Sequence, residues 1–300
     1  MSESIMSIKS TGKLKKEALI QLKSNWGIAI LVSFIAILFT DGVFYLSNIN
    51  EFREIIANPF YYKSIADDNL GTTVLFKIGV LIKLLIGGCI TCGLYNFFLN
   101  LLRKNNPKVE NVLSGFKFFG KNFLIQLVIY IFTFLWTIVI YIPASIILLI
   151  IAVSNRGNFY TLDMISLGSS IAIILMMISL IIAAYILIYI AVARYEMAFF
   201  IANDNPELAC MECIKASKEM MDGNCVRYFL LNLTFIGWEI LSILTLGLGY
   251  LWLRPYKYAV KANFYMNLKD EDISSGDIAP KYKNSCLDDN SSIKDEFKEI

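Results

Sequence analysis

Histidine is absent from the 300 residues. That removes the side chain most often used as general acid or base, metal ligand and neutral-pH switch. Charge is scarce too. Asp, Glu, Lys and Arg make up 17% of the chain, where a soluble domain carries about 25%. No G-x-S-x-G elbow, phosphate-cradling loop or aspartyl dyad occurs, and nothing specifies activation of a Ser or Cys nucleophile. The chain therefore reads as non-catalytic, with no cofactor, no metal and no nucleic-acid partner expected. The polar first 25 residues hold five lysines and lack a cleavable signal, so the first apolar run should serve as its own insertion signal. The six cysteines, at 89, 92, 210, 213, 225 and 286, imply no disulfide framework.

Hydrophobic residues make up 57% of the chain, and mean hydropathy is +0.59. Residues 84–102, 122–155 and 164–193 contain no charged residue. Each run is long enough to cross a hydrocarbon core of ~30 Å. The pattern predicts an all-α polytopic membrane bundle with spans at about 26–46, 84–102, 123–142, 167–193, 229–246 and 250–268. The run 123–154 would be ~48 Å long as one helix, so Pro143 is expected to break it. Gly247-Leu248-Gly249 should turn the chain between the last two spans. Residues 1–268 form one transmembrane domain in this reading. Residues 269–300, with nine acids against five lysines, read as a disordered acidic cytoplasmic tail.

The segment 250–268 is ambiguous because Arg254, Lys257 and Lys261 interrupt it. An internal repeat argues that it spans. The second span ends Asn96-Phe97-Phe98-Leu99-Asn100-Leu101, and 250–268 ends Asn263-Phe264-Tyr265-Met266-Asn267-Leu268. Phe199-Phe200-Ile201-Ala202-Asn203 is a weaker echo. Each odd span also follows a short polar-apolar segment, at 13–24, 107–120 and 206–222. The expectation is three pseudo-repeated helical hairpins, each led by a cytoplasmic amphipathic helix, with both termini inside. Lys/Arg counts agree: fourteen on the inner segments against five on the outer ones. In the 206–222 helix, Asn205 should be the N-cap and Gly223 the stop, with Cys213, Ala216 and Ser217 on a small packing face.

Leu14-Lys15-Lys16-Glu17-Ala18 through Asn25-Trp26-Gly27, Gly115-Phe116-Lys117, and Ala202-Asn203-Asp204-Asn205-Pro206-Glu207-Leu208 form a specific set with Phe235-Ile236-Gly237-Trp238 and Leu244-Thr245-Leu246-Gly247-Leu248-Gly249. Over most of 13–268 the chain resembles domain-of-unknown-function family 975, uncharacterised bacterial integral membrane proteins. The resemblance implies a helical fold in a bacterial cell membrane and no particular activity. Arg254, Lys257 and Lys261 depart from the family pattern, which is mostly apolar or neutral there.

Two C-x-x-C pairs, Cys89/Cys92 and Cys210/Cys213, fall within predicted helices, where cysteine is more readily a small packer than a zinc ligand. Gly88/Cys92 and Cys89/Gly93 favour close helix contact within the bundle, with self-association the lesser reading. The sharper signal is charge within spans: Asp41, Glu239, Arg254 and Lys257, with Lys261 beside them. Glu239 and Lys257 lie ~12 Å from the 247–249 turn on antiparallel neighbours, so they are expected to pair. The blander reading is snorkelling and a structural ion pair; the functional one is a polar interior for an anionic headgroup, peptide or ion. The first favours an envelope scaffold, transporter accessory or peptide-immunity factor. The second favours a transporter or lipid-handling protein. A cavity joining Glu239, Arg254 and Lys257 would favour the second reading, and a sealed pair the first. Membrane lipids, a membrane-protein partner or a second copy of the chain are the partners expected.

Overall fold

The computed structural model describes residues 10–40, 70–154, 164–245 and 247–275, and those residues form helices and short connections with no strand among them. Two N-terminal helices, α1 (Thr11–Leu22) and α2 (Trp26–Thr40), meet at 103°. Then come α3 (Leu70–Leu102), a 3₁₀ helix (Val109–Phe118), α4 (Phe119–Ser154) and α5 (Met164–Ala193). The chain continues through α6 (Ala198–Asp204), α7 (Cys210–Met220), α8 (Cys225–Leu233), α9 (Ile236–Leu244) and α10 (Tyr250–Ser275). Four stretches are long and apolar enough to cross a membrane: Lys77–Leu102, Val109–Pro143, Leu175–Asp204 and Cys225–Leu244. Counted as one broken span, the bent α1–α2 pair brings the total to five.

Burial separates central from peripheral helices. Half of the apolar window in Lys77–Leu102 is buried, against 6% in Val109–Pro143 and in Leu175–Asp204. So α3 is an inner helix, while α4 and α5 leave Phe134, Val139, Leu149, Leu175 and Leu187 exposed, as helices facing hydrocarbon do. The last helix is enclosed as well. Between Tyr250 and Asp270 only Trp252 is exposed. Protein surrounds α10, so it needs no apolar outer face, and its charges keep it from passing a hydropathy criterion.

Glycine permits the closest contacts. A Cβ on Gly93 would sit 1.8 Å from the Val112 carbonyl oxygen, and one on Gly115 would sit 2.0 Å from that of Cys89. The small-residue face of α3 thus packs on the 3₁₀ helix and on the start of α4. The Asn122 side chain seals this junction by donating to the Gly115 carbonyl at 2.6 Å.

Several boundaries differ from the sequence expectation. The helix α4 runs unbroken through Pro143. One lost backbone bond costs less than the several peptide groups a break would expose to hydrocarbon. In α3 the helix begins at Leu70, well before 84, since Lys77 and Lys83 interrupt the charge-free run without ending the helix. The expected span 229–246 divides at Thr234-Phe235, where Lys15 from α1 donates to Thr234 Oγ1 at 2.9 Å and sits over the Phe235 ring. Asn205 does not cap α7: its N–H bonds back to Ile201 at the end of α6, and α7 starts at Cys210. The reason is Lys121, whose ammonium takes the Asn205 and Pro206 carbonyls at 3.0 and 3.1 Å. The Glu212 carboxylate then accepts the Ala209 N–H at 3.0 Å, as in a capping box. Finally, α10 continues past Leu268 to Ser275, held where Lys269 meets Asp204 and Glu271 meets Arg227. The turns do fall at Gly223 and Gly247, both with positive φ.

Candidate functional site

Helical spacing puts Tyr250, Arg254, Lys257, Tyr258 and Lys261 on one face of α10. That face forms one wall of a cavity of about 400 Å³. Tyr189, Val192 and Ala193 of α5, Glu196 in the turn after it, Tyr228 and Asn232 of α8, and Glu239 of α9 complete it. Glu239, Arg254 and Lys257 therefore share one space. Asp41 lies outside the described residues.

Two ion pairs divide the cavity. Lys257 donates to Glu239 at 2.5 Å, and the two side chains keep 32% and 36% of their surface exposed. One helical turn further along, Lys261 pairs with Glu196 and also donates to the Tyr95 hydroxyl at 2.9 Å. This second pair is more enclosed, at 17% and 29%. The turn carrying Glu196 is held from outside the cavity by α7. Ser217 there donates to the Arg194 carbonyl at 2.8 Å and accepts the Met197 N–H at 3.2 Å.

Below the second pair the packing is aromatic. The Tyr95 ring stacks on Phe200 at 4.2 Å, and Phe200 stacks on Tyr265 at 5.1 Å, which joins α3, α6 and α10. One turn past these rings Asp204, with only 4% of its side chain exposed, accepts from three groups. They are Arg103 at the end of α3, at 2.8 Å, and Lys269 and Tyr265 of α10, at 2.7 and 3.0 Å.

The sequence profile described as "Protein of unknown function (DUF975)" matches residues 6–272. The chain belongs to that family. No curated protein and no solved structure matches it. The DUF975 match takes in the cavity and the Asp204 cluster and ends four residues into the expected acidic tail of 269–300.

Glu196, Tyr95 and Asp204 escaped the sequence reading. Lys261 carried a usable signal: a lysine inside a span needs an anion, and Glu196 is the only acid between Asp163 and Asp204. The four helical cysteines behave as packing residues. Cys92 Sγ lies 3.3 Å from Asn203 Oδ1, and Cys213 is fully buried. Burial pushes the Cys210 and Cys213 thiols above the ordinary range, which disfavours the thiolate that metal binding and redox exchange need. Among the described residues no group of three or more His, Cys, Asp or Glu could hold a metal ion.

Proposed function

We propose that this DUF975 member is a non-catalytic, six-span protein of the bacterial cell membrane that binds an anionic ligand in an intramembrane cavity. The observation that carries the reading is the single cavity joining Glu239, Arg254 and Lys257. Arg254, Lys257 and Lys261 line one wall of it, so a ligand that enters meets three cations on one helix face.

Two further features support six spans in three units with both termini cytoplasmic. At 26 residues α10 is ~39 Å long, enough to cross, and its neighbours screen its charges from lipid. Three amphipathic segments also meet the inner helices in like fashion. Asn96 of α3 donates to Ser114 of the 3₁₀ helix at 2.8 Å, and Ser217 of α7 binds the turn before α6. Asn263 of α10 donates to the Leu14 carbonyl and to Gln21 of α1 at 3.3 and 3.1 Å. Each inner helix thus holds the amphipathic helix of the next unit, and the third holds that of the first.

In this orientation the cavity faces outward, with the Lys261–Glu196 pair as its floor and the aromatic stack and Asp204 cluster beneath. That thick closure also favours a second reading, a rigid envelope scaffold, transporter accessory or immunity factor. Solvent access separates the two. Val192→Cys, in a background with the six native cysteines replaced, should react with a charged, membrane-impermeant thiol reagent added from outside. No reaction, with a lipid-facing control equally silent and an outer-loop control labelled, would favour the scaffold.

A further inference from the structure

We infer that the cavity binds a small zwitterion, one molecule carrying an ammonium beside a carboxylate or phosphate group, which enters between Lys257 and Glu239. This deepens, and rests on, the reading of the cavity as an anion site. The anionic group of the ligand takes Lys257, and its ammonium takes the carboxylate so released.

The two ion pairs differ in what they can admit. Lys261 is held by both Glu196 and the Tyr95 hydroxyl at the enclosed end. Lys257 donates to Glu239, and each of these side chains keeps about a third of its surface exposed. They stand on separate helices at the ends of flexible stems, so rotamer changes alone can part them. A simple anion on Lys257 would displace Glu239 and leave its carboxylate beside a second negative charge. A simple amine on Glu239 would do the reverse to Lys257. Stranding one partner of a buried pair is the costly event. A zwitterion avoids it, because each residue exchanges one opposite charge for another.

The walls suit both halves of such a ligand. Tyr189, Tyr228, Tyr250 and Tyr258 line the cavity, and aromatic faces attract an ammonium more strongly once water is excluded. Tyr228 adds a donor for the anionic group. Only 3% of it is exposed, and its ring packs on Tyr189 at 6.5 Å and on Phe264 at 5.4 Å. Its hydroxyl bonds to no described residue, yet among the described residues Ser33 Oγ is the only sealed side-chain N or O atom without a partner. The Tyr228 hydroxyl is therefore open to the cavity, where a ligand acceptor satisfies it. A volume of about 400 Å³ holds a molecule of amino-acid size.

The test is binding to the full chain in detergent, read as the shift of the unfolding temperature with ligand concentration. The probes are the common amino acids taken singly and phosphoethanolamine, with acetate, inorganic phosphate and ethanolamine as controls of one sign. At least one zwitterion should bind about tenfold more tightly than every control. An amino acid would assign a carboxylate ligand, and phosphoethanolamine a headgroup. Glu239→Gln should lower the zwitterion affinity about tenfold and raise that for phosphate, whereas Lys257→Gln should lower it likewise and raise that for ethanolamine. Loss of folding cannot imitate these opposite gains. Tyr228→Phe, which keeps the ring packing, should weaken the zwitterion several-fold. A control that binds as tightly as the best zwitterion ends the zwitterion assignment. If that control is phosphate or acetate the anion site stands, and if it is ethanolamine alone the anion site falls too. Zwitterion affinity unchanged in every variant would place the ligand elsewhere and overturn the inference. No binding of any probe would remove both readings.

Discussion

Glu239 and Glu196 each hold a lysine of α10, one helical turn apart, and their unequal enclosure ranks them. Removing one partner of a fully buried pair costs ~3–5 kcal/mol, because the other charge is stranded. The Glu239–Lys257 pair keeps about a third of its surface open, so Glu239→Gln should cost only about 2 kcal/mol. Glu196→Gln should cost more, since Lys261 is then left with the Tyr95 hydroxyl. Adding Lys257→Met to Glu239→Gln should restore much of the folded protein, measured as thermally stable, monodisperse material from membranes. A double mutant that loses the full sum of the singles would show that the pair does not interact.

At the scale of elements, the contacts of α3 depend on the absence of a Cβ. Gly93→Ala and Gly115→Ala each drive a methyl group into a backbone carbonyl and should destabilise by at least ~1–3 kcal/mol. Gly120→Ala meets nothing within 4 Å, and it should stabilise α4 by up to about 1 kcal/mol through helix propensity. Thermal unfolding in detergent gives the order, and a Gly93→Ala protein as stable as Gly120→Ala would contradict the packing. On α7, Cys213 is fully buried while Lys215 is 79% exposed. Cys213→Trp should therefore destabilise the fold and Lys215→Gln should not. Maleimide labelling checks the same face. Labelling needs the thiolate, and burial raises the Cys213 thiol, so its rate should still be climbing at a pH where an ordinary exposed thiol has levelled off.

For the whole molecule, Asp204 is the point where α3, α6 and α10 are tied together. Asp204→Asn keeps the shape but leaves Arg103 and Lys269 without their shared anion. Asp204 is 4% exposed, but Arg103 and Lys269 keep 32% and 21% of their side-chain surface. The cost should therefore fall short of the ~3–5 kcal/mol of a fully buried pair and still exceed that for Glu239→Gln, because two cations lose one anion. Unfolding midpoints of the two variants compare them directly. Topology is tested by a reporter fused after Leu268, which should be active only in the cytoplasm. Activity outside alone would make α10 something other than a sixth span.

The all-helical class was legible from the charge-free runs 122–155 and 164–193, because length and hydropathy alone make a helix that must bury its peptide groups. Gly223 and Gly247 marked turns for an equally local reason, since their positive φ suits a residue without a Cβ. The depth count that brought Glu239 to Lys257 also needed only helical rise and a short turn. Sequence told only that Lys261 needs some anion, and it could not supply Asp204 for Arg103 and Lys269, because these partners lie 65 to 101 residues apart and meet only when three helices pack. Nor could it show that α10 tolerates its charges. Hydropathy measures what a helix offers to lipid, and α10 is surrounded by protein, so its burial was decided by its neighbours.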